Sequence, residues 1–384
     1  MTGGLGLARL HFQDWRTDMT DKPNRIDDRY ATSEKYTTLR GIYKDAQRRL
    51  SEIDWNYLSC GTGDEVTLRE NTAVFDEIRF EVPLFAGIGN PDTRTKVLGF
   101  DLSFPAFIAP FGGGEAVFHP EGHLAIGRAA ASVGIQQMVP VAAAHSLEDV
   151  AKASPVASVF QMTFVGDEGA VLDMMERAKA AGYKYICATY SPIRQWRERM
   201  MEDRFSIRGE TGPSNFGPGK SDPAALTELL DFTQPRWTWA QAANVIKRAP
   251  LPCIVKGVSS VRDAKASLDA GAAGLYVSNY GGRTIDRTPP ALETLPAIRE
   301  AVGKDVPIVF DSGIRRGSDI AAAVALGADA VALGRIVAYG LAADGEYGVR
   351  RTLELLQREF WTTLGHLGCS TVAELSGGVI APKR

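Results

Sequence analysis

The stretch VPIVFDSGIRRGSDIAAAVALGADAVALGR (306–335) sets the fold. It opens with an apolar run, VPIVFD (306–311), that ends in small and polar residues. An Ala-rich amphipathic segment follows, and a second apolar run, AVALG (330–334), closes the unit. Apolar runs of four to six residues suit strands buried on both faces, as in a parallel sheet covered by helices. Working back along the chain, the same theme recurs. Strands are expected at PAFIAP (105–110), QQMVPV (136–141), ASVFQM (157–162), YICAT (185–189), PCIVKG (252–257) and GLYVSN (274–279). Helical segments such as EGAVLDMMERAKAAG and SVRDAKASLDAGAAG lie between them. Together with the opening pair that makes eight βα units, which predicts a closed (β/α)₈ TIM barrel. An open doubly wound sheet is the alternative.

Residues 35–384 form one barrel domain on this reading, opening with a helical pattern from Glu34 to about Leu58. Residues 1–34 are polar and aperiodic, and a flexible extension is expected there. The fourth and fifth strands are separated by an unusually long interval containing RGETGPSNFGPGKSDPAA. An insertion at about 190–237 would emerge at the C-terminal mouth, where barrel enzymes bind substrate, and is expected to act as a lid.

Hydrophobic residues at 45% and charged residues at 23% suit a soluble enzyme, and a net charge of −3 gives no global attraction to nucleic acid or anionic membranes. Four separated cysteines without CxxC spacing are expected to be reduced thiols of a cytoplasmic protein. Five histidines without an HxxxH pair make a zinc site an unattractive reading. No apolar run reaches the roughly 18 residues of a membrane span, and no signal peptide is read.

Barrels often hold phosphate on the loops after their last two strands. Those loops read DSGIRRGSD (311–319) and LGRIVAYG (333–340). Gly313 and Gly334 would let backbone approach an anion, and Arg315 and Arg335 would add charge.

With those loops in place, residues from about Trp55 to Leu375 resemble the FMN-dependent α-hydroxy acid oxidase and dehydrogenase family, the group containing glycolate oxidase and lactate oxidase. The resemblance rests on WNYLSCGTGDEVTLREN, IAP followed by HPEG, VFQ, IVKGV, VSNYGGR, DSGIRRGSD and ALGR, in order. It implies FMN, with Pro110, Gly112, Gln161, Thr189, Lys256, Ser278, Asp311, Gly313, Arg315, Gly334 and Arg335 around it. Lys256 would sit beside flavin N1. Tyr57 and Arg283 match the pair that grips the substrate carboxylate, and Arg197 a further arginine facing it. The family also implies hydride transfer to flavin N5 and a homo-oligomer, commonly a tetramer.

The reaction centre departs from that pattern. Where the family carries its catalytic histidine this chain has Tyr280. The aspartate partner aligns with Ser191, an aromatic hydroxyl with Thr163, and the aromatic residue after the second strand with Val141 or Ala142. Pro140 replaces a small polar residue, and Phe-Gly-Gly-Gly (111–114) follows the first strand. Tyrosine ionises near pH 10 against about 6.5 for histidine, equivalent to roughly 4 kcal/mol against its use as a base at neutral pH. Lys256 and Arg283 are expected to lower that cost by favouring phenolate. Catalytic roles are therefore assigned to Tyr280, Arg283, Lys256 and Tyr57, and substrate contact to Tyr57, Arg197, Arg283, Thr163 and His145. His145 is a candidate base near the mouth, while His119 and Asp286 read as structural.

Three functions remain open on these residues. They are an oxidoreductase for an anionic substrate other than lactate or glycolate, an FMN-dependent non-redox isomerase or lyase, and a catalytically silent FMN-binding homologue.

Overall fold

A computed structural model describes residues 34–164, 168–190, 196–205, 214–216 and 237–382. The extension expected over 1–34 lies outside the described residues apart from Glu34. Only parts of the insertion at 190–237 fall within them.

Two short helices open the described residues. Leu39–Arg49 is capped by the Thr38 hydroxyl accepting from Gly41 N, and Glu52–Ser59 by Ser51 accepting from Asp54 N. A third helix, Val66–Asp76, starts where Thr67 N donates to Asp286 Oδ1 at 2.9 Å, so Asp286 anchors a helix start. A two-stranded hairpin follows, β1 (Thr95–Val97) and β2 (Phe100–Leu102). Leu98 and Gly99 turn it with positive φ, the pairing a tight hairpin turn requires.

Eight parallel strands then close into a barrel: β3 Ala106–Ile108, β4 Gln136–Pro140, β5 Ala157–Thr163, β6 Tyr185–Thr189, β7 Cys253–Val258, β8 Gly274–Val277, β9 Ile308–Phe310 and β10 Ala330–Leu333. β10 pairs with β3 from Val331↔Ala106 to Leu333↔Ile108, which completes the ring. All eight expected strands are present, so the closed barrel stands and the open sheet does not. Every strand contributes to the interior: Phe107, Met138, Val159, Cys187, Ile254, Tyr276, Val309, and Ala330 with Ala332 from β10. Val97, Leu98 and Leu102 of the hairpin join this cluster and plug one end of the barrel. The interior is packed side chain, not a pore.

The helix Arg335–His366 breaks at Asp344 and Gly345. Gly345 has φ 53°, and a side chain there would strike His119 Nε2 at 2.7 Å, so His119 packs into the break as a structural residue. All four cysteines are free and buried, and burial pushes Cys187 up to about 12. Among the described residues no helix is long and apolar enough to cross a membrane.

Candidate functional site

The loops that leave the C-terminal ends of the strands enclose a cavity of about 350 Å³. Most residues singled out from the sequence line it. Tyr57, Pro110, Gly112, Gln161, Thr163, Thr189, Lys256, Tyr280, Arg197, Arg283, Asp311, Gly313, Arg315, Gly334 and Arg335 all border this space.

One end of the cavity is built for an anion. Gly334 ends β10, and a side chain built on it would meet nothing nearer than Ala109 at 3.9 Å, so this glycine opens towards the cavity. Arg335 Nη2 donates to the Cys60 carbonyl at 3.0 Å, while its buried Nε has no hydrogen-bond partner. Burial, then the nearby Arg283 and Arg315, lowers Arg335 to about 9. Buried cations without an acidic neighbour are costly, and a phosphate among them would satisfy both charge and donor. These residues fit the phosphate of FMN.

Lys256 on β7 defines the middle. Its Nζ donates to Ser278 Oγ at 2.9 Å and lies 3.4 Å from Asp311 Oδ2. Asp311 also accepts from Ser278 at 2.5 Å, Ser312 at 2.8 Å and the Tyr276 hydroxyl at 2.9 Å. That network holds the ammonium in a fixed place, where it would stabilise negative charge on a reduced flavin edge. Ser278 was expected to touch the cofactor. It is instead fully buried behind Lys256, and its hydroxyl is spent on Lys256, Asp311 and the backbone N–H of Tyr280.

Tyr280 does not present a base to the cavity. Its backbone is left-handed, with φ 58°. Its hydroxyl donates to the Tyr190 carbonyl at 2.8 Å and lies 3.3 Å from the Lys256 carbonyl. Burial raises its pKa well above the ordinary tyrosine range, and Cys187 and Asp311 push the same way. The expected relief from Lys256 and Arg283 fails for a geometric reason. Lys256 Nζ stands over the ring face, 4.2 Å from its centroid, while the hydroxyl points to backbone carbonyls. The chain makes room for that hydroxyl at Gly257, where a side chain would lie 2.3 Å from it.

Arg283 and Arg197 gather beside the helix Glu52–Ser59. Arg283 Nη1 donates to the carbonyls of Tyr57 and Cys60, each at 2.9 Å. Arg197, at the start of the short helix Glu198–Glu202, donates from Nε to the Arg283 carbonyl at 3.3 Å. Burial and the adjacent Arg283 hold Arg197 down to about 9. Tyr57 is buried, and its ring stacks on Phe205 with centroids 4.2 Å apart and planes 8° from parallel. Residues 196–205 are clamped to this helix by Arg199, which bonds Glu65 at 2.8 Å and Ser59 at 2.9 Å. Ser214–Phe216 dock elsewhere, through Asn215 to Leu147 N and the Val141 carbonyl.

Two further assignments change. His145 does not border the cavity. Ser146 caps the next helix, and His145 turns towards Gly122, with its buried Nδ1 unpartnered. Gly313 borders the cavity, yet its missing side chain points the other way. A Cβ there would lie 1.8 Å from the Asn71 carbonyl, so close packing on the helix Val66–Asp76 demands this glycine. Ser191, aligned with the family aspartate, lies outside the described residues.

Sequence reasoning missed Phe205, Asn71 and Ser312. Asn71 and Asn279 exchange side-chain amide bonds at 2.8 and 2.9 Å, tying the helix Val66–Asp76 to the loop that carries Tyr280 and Arg283. The motif WNYLSCGTGDEVTLREN contains Asn71, but nothing in the motif says what it bonds.

A closed (β/α)₈ barrel whose mouth gathers a glycine-arginine cradle fit for an anion, a fixed lysine and two neighbouring buried arginines suits a flavin oxidoreductase. Residues 46–382 match the model of the FMN-dependent dehydrogenase family. The chain is 35% identical to L-lactate oxidase from a Nostoc strain, over 86% of this chain and 94% of that protein. It is 34% identical to spinach glycolate oxidase, over 88% and 93% respectively. A crystal structure of mandelate oxidase superposes with a TM-score of 0.81 at 32% identity, covering 88% of this chain and 96% of that one. The protein belongs to the FMN-dependent α-hydroxy acid oxidase and dehydrogenase family.

Proposed function

We propose that this protein is an FMN-dependent oxidoreductase for a carboxylate-bearing substrate that releases hydride without a strong protein base. Lactate and glycolate, the substrates in the names of its relatives, do not fit that requirement. FMN, when bound, supplies the hydride acceptor at flavin N5. The protein's own residues do the rest. Arg283 and Arg197 hold the carboxylate by charge-assisted hydrogen bonds and so orient the adjacent carbon. Tyr57, fixed by its stack on Phe205, closes that end. Lys256 compensates negative charge opposite.

The observation that carries this reading is the committed hydroxyl of Tyr280. Among the described residues lining the cavity there is no histidine, and the one carboxylate, Asp311, already accepts three hydroxyl hydrogen bonds. Losing a general base costs a hydroxy acid oxidase about 10²–10⁴ in rate. A neutral amine escapes that loss, because its nitrogen lone pair assists hydride departure from the neighbouring carbon. Thr163 and Ala142, where the family carries larger aromatic groups, leave room for a substrate bulkier than lactate.

The test is an anaerobic absorbance titration of the flavoprotein with matched 2-hydroxy and 2-amino acids. Bleaching by the amino series, and slow or no bleaching by lactate and glycolate, is expected. Fast bleaching by lactate would overturn the proposal, and no bleaching by either series would move the protein to non-redox or silent flavin binding.

A further inference from the structure

A second cavity, of about 290 Å³, lies on the other side of Tyr280. It shares Thr189, Lys256 and Tyr280 with the central cavity, so the two spaces are separated by single side chains. Their chemistry is opposite. The central cavity is lined by four arginines. Among the described residues the outer one has none, and its walls are Phe164, Tyr190, Trp237, Trp239, Ile246 and Val255. Its acid, Asp263, accepts at its carboxylate from the hydroxyl of Ser260, the N-cap of the helix Val261–Asp269, and Lys256 is turned to Asp311. Phe164 and Trp237 stand with ring centroids 5.0 Å apart. Trp239 and Tyr190 are more than a third exposed, so two walls of this cavity meet solvent.

Large aromatic side chains left half-exposed around a concavity mark a binding site. No anion would be drawn to this one. We propose that the outer cavity binds a neutral, flat cyclic electron acceptor of the quinone class. The inference rests on the redox reading of the central cavity, because a flavin reduced there must pass its electrons on to an acceptor. The overall exchange balances. The donor in the central cavity loses two electrons and two protons, becoming the oxo or imino acid. A quinone in the outer cavity gains two electrons and two protons, becoming the hydroquinone. Tyr280 and Lys256 form the shared wall, which keeps the acceptor close to the reacting end of the central cavity while excluding it from the carboxylate site.

Duroquinone is a suitable probe, since its ring is fully substituted and does not alkylate thiols. Binding to the holoprotein is measured by calorimetry, and reoxidation by stopped flow after the flavin has been reduced by light with EDTA, so that no substrate is needed. One site is expected, unaffected by saturating oxalate, a small dianion matched to the arginines. Trp239→Ala and Ala242→Phe, which remove a wall and fill the space, should each weaken binding and slow reoxidation by duroquinone about tenfold. Reoxidation by ferricyanide should not change. Equal binding and equal rates in wild type and both variants would overturn the proposal, as would displacement by oxalate. Because light supplies the electrons, this result stands apart from whether amino acids bleach the flavin.

Discussion

Lys256 Nζ sits 4.2 Å above the ring of Tyr280, while the Tyr280 hydroxyl lies 3.3 Å from the carbonyl of the same lysine. The charge therefore meets the face of the ring and the proton is held by backbone. A phenol so placed fills space and shapes the wall, and does not exchange protons with a ligand. Tyr280→Phe is accordingly expected to keep its flavin and to change the rate with the true donor less than threefold. Tyr280→His places an imidazole where the family has one and should raise lactate or glycolate oxidation about 10²-fold or more. Comparing kcat/KM of the two variants on 2-hydroxy acids decides the matter, and a hundredfold loss in Tyr280→Phe would restore Tyr280 as a proton carrier.

The buried arginines make a pH prediction with a definite sign. Arg335 is lowered to about 9, so the folded apoprotein binds this proton less tightly than the unfolded chain does. Stability of the apoprotein then rises with pH from about 9 up to the ordinary arginine range, and below 9 it carries the cost of the buried cation. Phosphate offsets that cost. At pH 7, inorganic phosphate at ten times its Kd should stabilise the apoprotein by about 1.4 kcal/mol, fading above pH 9. Arg335→Met should lose the phosphate effect while leaving the apoprotein as stable or more so. Thermal melts with and without phosphate give the answer, and a phosphate shift surviving in Arg335→Met would refute it.

The two loop glycines separate stability from cofactor binding. Gly313 carries φ 99° and faces the Asn71 carbonyl at 1.8 Å from an added Cβ, so Gly313→Ala must push a helix aside. A loss of several kcal/mol is expected, read as insoluble or low-melting protein. Gly334 has open space beside it, but its backbone, φ −98° and ψ −100°, lies outside the favoured regions for other residues. Gly334→Ala should therefore fold with a loss of about 1–3 kcal/mol, smaller than that of Gly313→Ala, and bind FMN at least tenfold more weakly, measured by equilibrium dialysis of the apoprotein. The reverse pattern would exchange the roles of the two positions.

These glycines also show what a sequence carries and what it withholds. The eight barrel strands were legible because double-sided burial demands continuous apolar runs, as in YICAT and AVALG. The β1–β2 hairpin was not, since Thr95–Val97 and Phe100–Leu102 are three residues long and each buries only its last. A glycine announces that a Cβ is unwelcome, but not on which side the obstacle lies, and so Gly313 and Gly334 read alike. The position of His145 after a strand was correct, but the turn into the Ser146 cap decides where its ring points. Phe205 comes from the long insertion, where no periodicity ties a residue to Tyr57 nearly 150 positions away.

Arg197 offers the cleanest measure of the carboxylate site, because Arg283 also holds the end of the helix Glu52–Ser59 together. Removing Arg283 would mix lost binding with lost structure. Arg197 donates to the Arg283 carbonyl at 3.3 Å, and its burial beside a second guanidinium is unfavourable until an anion arrives. Hydrogen bonds to charged partners are worth about 1.5–3 kcal/mol. Arg197→Leu should therefore weaken oxalate binding ten- to a hundredfold, while the flavin absorbance and the melting temperature stay close to wild type. Arg197→Lys should recover only part of the affinity, since an ammonium cannot present two parallel donors. Oxalate titrations followed by flavin difference spectra measure all three proteins, and equal dissociation constants would remove Arg197 from the site.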